Sequence, residues 1–299
     1  MKISNVYNLP VGVFNAIVND TYDGPKIEDT DKISVTTLIA PPRIHFLKKR
    51  HWEGLTEDAS NRLWSLLGQS VHAILERAES KNNIVEERIE KSIDGMIVTG
   101  KIDVLDAEEI SDWKVTSVWQ YVHAPTGKPE HIAQLNILRW LAADIFPKVS
   151  KLTNNLILRD WSAGKAKSTP DFPRIPFVSI PVPVWGDGQT IDYIRGRVAL
   201  FMAAADLPDE QLPECTEEEM WSKPTVYAIV KDGGKRAIPG GLCATQAEAD
   251  AKMGPKMHIE VRVGGRVRCA EYCVVSHLCS QYQTWLKANP TAVEAEDIP

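Results

Sequence analysis

The sequence lacks most of the features that settle a protein's class quickly. Five cysteines in 299 residues are too few for a disulfide scaffold, and the count is odd. No apolar run approaches the ~18 residues of a membrane span, and the opening residues lead into no apolar signal segment. The expectation is a cytoplasmic protein with no membrane partner. Basic charge is not in excess: 34 Lys and Arg against 40 Asp and Glu give a net charge of −6, which excludes a generally cationic nucleic-acid coat. There is no internal repeat, and no G-x-x-x-x-G-K-[ST] segment through which the chain could hydrolyse ATP. What remains is ordinary: 43% hydrophobic and 25% charged residues describe a globular chain of about two domains.

Residues 1–33 are polar and turn-rich and are expected to form an arm with little structure of its own. Residues 56–80 repeat apolar positions at helical spacing through Leu63, Leu66, Leu67, Ile74 and Leu75, with Gly68 marking close packing or approach of a ligand. The segments 84–90, 96–105 and 109–115 are short and β-branched and predict a meander of three strands. A helix over 129–145 follows, then strands over 152–160 and 177–184 joined by a mobile basic loop, then a helix over 190–205. That order predicts an α/β fold with a mixed central sheet flanked by helices. The core spans 34–207, and 208–299 forms a smaller C-terminal region with strands near 226–231 and 258–263 and a helix at 245–252.

The chemistry concentrates between residues 68 and 140. His72 and Glu76 are four apart on one helix, so they share a face. In Gly100-Lys-Ile-Asp103 an acid sits among apolar residues. In Asp112-Trp113-Lys114 strand alternation sends Asp112 and Lys114 to one side. A tight acidic turn at 106–109 would place Asp103 and Asp112 on adjacent strands. Two carboxylates converging with an imidazole repel unless a cation sits among them, and oxygen donors favour Mg2+ or Mn2+. A lysine beside such an ion can hold water or neutralise charge on a phosphate. Singly, each residue has an ordinary explanation as a surface pair, a turn cap or a solvated strand residue. Together they are the parts of a metal-dependent phosphodiesterase.

The run Gly68-Gln-Ser-Val-His72-Ala-Ile-Leu-Glu76, then Gly100-Lys-Ile-Asp103, Asp112-Trp-Lys114 and Gln134-Leu-Asn-Ile-Leu138 resembles the PD-(D/E)XK nuclease superfamily, in its RecB/Cas4-like exonuclease branch with phage-type relatives. The resemblance implies a restriction-endonuclease-like core and hydrolysis of DNA, by an exonuclease rather than an endonuclease, at single-stranded or resected duplex ends. It implies Asp103, Asp112 and the Trp113 carbonyl as metal ligands, His72 as a further ligand, Glu76 beside it, Lys114 positioning the attacking water, and Gln134 contacting DNA or the nucleophile. Leu138 stands where the family carries tyrosine. The implied settings are DNA recombination, repair or phage replication, with recombination or replication proteins as partners. The alternative is a weak or inactive DNA-binding accessory protein on the same fold.

Cys269, Cys273 and Cys279 crowd one short stretch, and thiols so clustered in a reducing compartment are more often metal ligands than bridges. With Cys215 upstream they resemble the iron–sulfur staple of Cas4-like nucleases, which implies a [4Fe–4S] cluster tying the C-terminal region down. Zn2+ on the same four thiolates is the alternative. Cys243 is the spare, and His277 a lesser ligand candidate. The cationic runs at 48–51, Lys165 with Lys167, Arg195 with Arg197, and Arg262, Arg266 and Arg268 are candidate phosphate contacts, and one or two of the tryptophans are candidates for stacking on unpaired bases.

Overall fold

The structure is a computed structural model that describes residues 1–20, 31–78, 84–105 and 108–290. The chain divides into two units, one formed by 1–45 and 52–205, the other by 46–51 and the chain from 206 onward. In chain order the elements through the first unit are β1 (Lys2–Ser4), α1 (Val11–Val18), β2 (Lys32–Ser34), α2 (Val35–Ile39), α3 (Pro42–Arg50), β3 (Thr56–Asp58), α4 (Leu63–Ala78), β4 (Ile84–Ile93), β5 (Met96–Leu105) and β6 (Glu109–Thr116). They continue with α5 (Val118–His123), α6 (Pro129–Ala142), β7 (Lys151–Leu158), α7 (Ala163–Ser168), β8 (Phe177–Pro181) and α8 (Asp187–Ala204).

The central sheet is mixed and flanked by helices. β4 runs antiparallel along β5, from Ile84 opposite Leu105 to Ile93 opposite Met96. The remaining edge of β5 is shared: β2 pairs parallel with its start, at Ile97, Val98 and Thr99, and β6 pairs antiparallel with its end, at Val104 and Leu105 alone. Beyond those two pairs β5 and β6 separate. β6 then runs parallel to β7 over its whole length, and β7 antiparallel to β8. This splay between β5 and β6 is the architectural fact that makes room for the site.

Helix α6 packs across β4, β5, β6 and β7, with Leu135, Ile137, Leu138 and Leu141 buried. It comes so close to β5 that a Cβ on Gly100 would stand 2.5 Å from a Leu138 methyl and 2.9 Å from one of Leu141, so any larger residue would push those leucine side chains aside. Asn136 on the same helix is fully buried, donates to the Ile132 and Pro183 carbonyls and accepts from the Trp185 amide, fixing the chain that follows β8. Arg197 of α8 donates to the carbonyls of Leu38 and Ala40, at the C-terminal end of α2.

Several expectations change. The N-terminal stretch carries β1 and α1, and β1 pairs parallel with β3, a contact over fifty residues of sequence that no local pattern announces. Residues 56–58 are therefore strand rather than helix, and Asp58 accepts from the amides of Val6 and Ser60. The 162–170 connection contains α7, begun by Ser162 as its N-cap. Gly68 in α4 has nothing within 4 Å of a hypothetical Cβ, so close packing does not explain it. The acidic turn expected at 106–109 includes 106 and 107, which lie outside the described residues.

In the second unit β9 (Val226–Lys231) is the middle strand of an antiparallel sheet, between β10 (Ala237–Cys243) and β11 (Met257–Arg262), with α9 (Gln246–Lys252) packed on β9 and β10. A π-helical turn at Arg268–Tyr272 and α10 (Ser280–Ala288) complete it. Among the described residues, no helix is long and apolar enough to cross a membrane.

Candidate functional site

The splay of β5 and β6 leaves the Trp113 amide without a ladder partner on β5. A side chain supplies one: Asp103 Oδ2 accepts from Trp113 N at 2.9 Å. The carboxylate is thereby aimed into the gap between the strands. Across the gap, Lys114 Nζ lies 2.9 Å from Asp112 Oδ1 and 2.8 Å from Oδ2, and Gln134 of α6 donates to Asp112 Oδ1 at 3.2 Å. Asp112 is 3% exposed, and its Oδ2, though within ion-pair distance of Lys114, has no well-directed hydrogen bond. His72 closes the set from α4, which packs on β6. Its Nε2 lies 3.0 Å from the Trp113 carbonyl and its Nδ1 3.6 Å from Asp103 Oδ2. The structure thus brings His72, Asp103, Asp112, Trp113, Lys114 and Gln134 together.

It does not bring Glu76. One turn beyond His72, that side chain is exposed, and no hydrogen bond or ion pair ties it to the carboxylates. The i,i+4 spacing shares a helix face only within roughly 40°, and here the face turns from sheet to solvent across that interval.

The electrostatics follow from crowding. Burial first, and then the negative charge of Asp112, raises the Asp103 carboxyl above its ordinary range, with His72, the Trp113 amide and Lys114 pulling the other way. His131, one turn before Gln134 on α6, is a member that the sequence reading missed. Burial, reinforced by the Lys114 ammonium, holds its imidazole down at about 4 against the opposing pull of Asp112 and Glu130, so it is neutral at pH 7. A helical i,i+3 relation to Gln134 was the available signal. Asn154 is the second. It is registered with Asp112 across the parallel β6–β7 pair, is 1% exposed, and has no hydrogen-bond partner on either amide atom among the described residues. Its signal was the polar run Thr153-Asn154-Asn155 in a strand that ends apolar at Leu156-Ile157-Leu158.

A divalent ion is the group this constellation would be expected to hold. Among the described residues, no three His, Cys, Asp or Glu side chains stand together as a ready ligand set. The donors available are two carboxylates and the main-chain carbonyl of Trp113, the hard oxygen set that Mg2+ and Mn2+ take. The Asp112 oxygen without a directed hydrogen bond is free in chemistry to serve as one of them. By donor type the residues fit.

The four C-terminal cysteines share a neighbourhood. Gln281 clamps Cys215, accepting from its amide at 2.9 Å and donating to its carbonyl at 2.8 Å. The strand-like exchange between Lys223 and Gly265, and the Arg268 amide on the Met220 carbonyl, bring the two segments alongside. Burial pushes the Cys215 thiol up to about 12, with Glu219, Cys279, Cys269 and Cys273 adding to it, and pushes Cys269 up to about 11. Cys273 is raised also, chiefly by burial. Charge on Cys279 would raise each of these three further, so the four cysteines lie within electrostatic range of one another, although among the described residues they do not stand together as a ready ligand set. Cys243 packs elsewhere, with Ile229 and Ala249, and His277 is exposed.

Most of the cations named from sequence are already engaged. Arg50 and His51 both bind Asp209, at 2.8 and 2.6 Å, Arg195 faces Asp94, Arg262 reaches Glu260 and the Lys235 carbonyl, and Arg266 faces Glu217. Arg268 donates to the Glu219 carbonyl. Lys165 and Lys167 stay exposed.

No family model matches the chain, and no curated protein matches it. Solved structures do resemble it. A protein designated SSO0001 is 19% identical with a TM-score of 0.43, covering 63% of this chain and 85% of its own. An alkaline exonuclease (LHK-Exo) from Laribacter hongkongensis is 14% identical at a TM-score of 0.39, covering 58% and 87%. A phage-related exonuclease from Haemophilus somnus 129PT is 13% identical at 0.28, covering 52% and 68%. With TM-scores this low, the functional reading rests on the geometry of the site.

Proposed function

We propose that the first unit is a metal-dependent deoxyribonuclease of PD-(D/E)XK type, RecB/Cas4-like, working on DNA ends. One observation carries the reading: two carboxylates from adjacent strands face each other where the strands part, with a lysine amine on one and an imidazole on the other. Asp103, Asp112 and the Trp113 carbonyl would hold Mg2+ or Mn2+, which when bound polarises a phosphate and acidifies water. The remaining work falls to the chain itself. Lys114, anchored by Asp112, presents an ammonium that orients water and offsets charge growing on the phosphate. Gln134 fixes the Asp112 carboxylate from behind, so its free oxygen keeps one direction. His72 holds the Trp113 carbonyl and the Asp103 side chain in one plane of contact. The neutral His131 adds a polar wall without adding charge.

In the second unit the four clustered cysteines would bind a [4Fe–4S] cluster, with Zn2+ as the alternative occupant. Thiols raised chiefly by burial, and secondarily by one another, lose that penalty when a cation takes the protons' place. Iron and sulfide content of protein purified without oxygen separates the two.

The nuclease test uses end-labelled single-stranded and duplex DNA with Mg2+ or Mn2+. Lys114→Ala and Asp112→Asn are each expected to slow digestion by about 10²–10⁴-fold. Digestion at the wild-type rate by Lys114→Ala would sink the assignment, and binding without digestion by the wild type would leave the accessory role.

A further inference from the structure

Two indoles stand out of the surface beside the carboxylates, and each carries a cation. Trp64 near the start of α4 is 57% exposed, with the Arg159 guanidinium 4.0 Å from its ring centre. Trp119 in α5 is 45% exposed, with Lys165 Nζ 5.0 Å from its ring and His123 stacked beside it at 5.9 Å. Arg159, Lys165 and His123 are themselves exposed.

These are one feature rather than two. Trp64 lies on the same helix as His72, about two turns earlier or ~12 Å along the axis. α5 begins four residues after Lys114. The chain leaving β7 stitches the halves together. The Arg159 amide donates to the Thr116 carbonyl, and Asp160 accepts from Ser117 Oγ and the Val118 amide at 2.6 Å each. The only acid in this joint, Asp160, is thus already hydrogen-bonded by the turn that it caps. The strip that results alternates flat aromatic faces with exposed positive charge and runs along the C-terminal ends of β6 and β7, with Lys114 two residues short of the β6 end.

We infer that this strip is a binding track for an unpaired nucleic-acid strand, with Trp64 and Trp119 stacking bases while Arg159 and Lys165 meet phosphates. A duplex hides its base faces and could use only the cations, whereas a single strand uses both. The exposed part of each indole is left for a base, and the cation on it stands where the neighbouring phosphate falls. The inference rests on the nuclease reading for its purpose and names that reading's substrate as a single strand. Its measurement is independent of cleavage.

The test is binding of labelled oligodeoxythymidine and of a blunt duplex of equal length, by fluorescence anisotropy with the full chain in a chelator. The wild type is expected to prefer the oligodeoxythymidine. Trp64→Ala and Trp119→Ala should each weaken that binding by roughly tenfold and leave duplex binding nearly unchanged. Arg159→Ala and Lys165→Ala should weaken both and reduce the salt slope by about 0.7 per lost phosphate contact on the single strand. Trp64→Phe, a variant that preserves the ring and the fold, should retain most of the affinity. Wild-type binding to neither nucleic acid would overturn the inference and leave the strip to a protein partner. Equal losses on strand and duplex would overturn it too, since stacking would then play no part. Because nothing is cut in chelator, a failure here is distinct from survival of digestion in Lys114→Ala.

Discussion

Two asparagines buried in the first unit are treated in opposite ways. Asn136, on α6, spends its amide completely: two carbonyls accept from it and one main-chain amide donates to it, all within 2.9 Å. Asn154, on β7, is equally hidden, and its side-chain amide bonds to nothing among the described residues. A buried amide without partners costs a protein something on the order of 1–3 kcal/mol. Where the fold alone is at stake, as behind the sheet, that cost is avoided. Beside Asp112 it is tolerated, and the neighbouring carboxylate oxygen is left without a directed bond as well. Among the described residues of the first unit, the buried side-chain polar atoms without a directed bond all belong to Asp112, Trp113 and Asn154, and such atoms are where water or an arriving ion binds.

That contrast can be broken most forcefully at Asn136. Replacement by Leu preserves volume but orphans the Pro183 carbonyl and the Trp185 amide, so unfolding free energy should fall by about 3 kcal/mol, read from denaturant midpoints. A loss below about 0.5 kcal/mol would mean that the three bonds are not what holds the chain after β8. Asn154→Leu should do the reverse. With no bond to lose, stability should stay level or rise, while the nuclease rate falls by about tenfold or more through the altered surroundings of Asp112. A clear loss of stability in Asn154→Leu would show that this amide is structural, and the distinction between the two would vanish.

His131 sharpens the same point through pH. Its folded imidazole titrates at about 4 while the unfolded side chain titrates at the ordinary histidine value of 6.5, so between those values the unfolded chain binds the extra proton. Stability from this group is therefore present above about 6.5 and is lost as pH falls toward 4. Replacing it by Gln should flatten the acid limb of a stability–pH curve by on the order of 1–2 kcal/mol, measured by thermal melts across that window. Asp103 acts oppositely. Its raised carboxyl favours the folded state at low pH and withdraws that support as pH rises through its folded value, so the two groups partly offset each other.

Much of the site was legible because its geometry is short-range. Asp112 and Lys114 follow from strand alternation, and Asp103 from an antiparallel partner strand. His72 follows from its place on a helix that packs on that strand. What stayed hidden depends on longer-range placement. Asn154 matters only through parallel register with Asp112, across the two helices α5 and α6 of intervening chain. Glu76 stands exposed, apart from the cluster, because helical spacing says which side chains share a side, not where that side stops facing protein. Arg50, His51, Arg195 and Arg266 looked like free cations until their carboxylate partners, in some cases distant in sequence, were placed. β1 and β3 are too short for periodicity to register, and only their pairing makes them strands.

The smallest expected effect lies on α4, the helix that supplies His72 and Trp64. Where α6 is buried and holds one glycine-tight contact with β5, α4 carries Trp64, Leu67 and Ile74 outward, and its own glycine touches nothing. Gly68 lies mid-helix with ordinary negative φ, so a methyl group there meets no neighbour and restricts only the unfolded chain. Gly68→Ala should therefore raise stability by roughly 0.5–1 kcal/mol, visible as a small upward shift in Tm. If α4 is a stiff support for His72, the digestion rate should not change with it. If activity falls while stability rises, the helix must bend at Gly68 during turnover, and the glycine is then kept for that motion rather than for any contact in the resting fold.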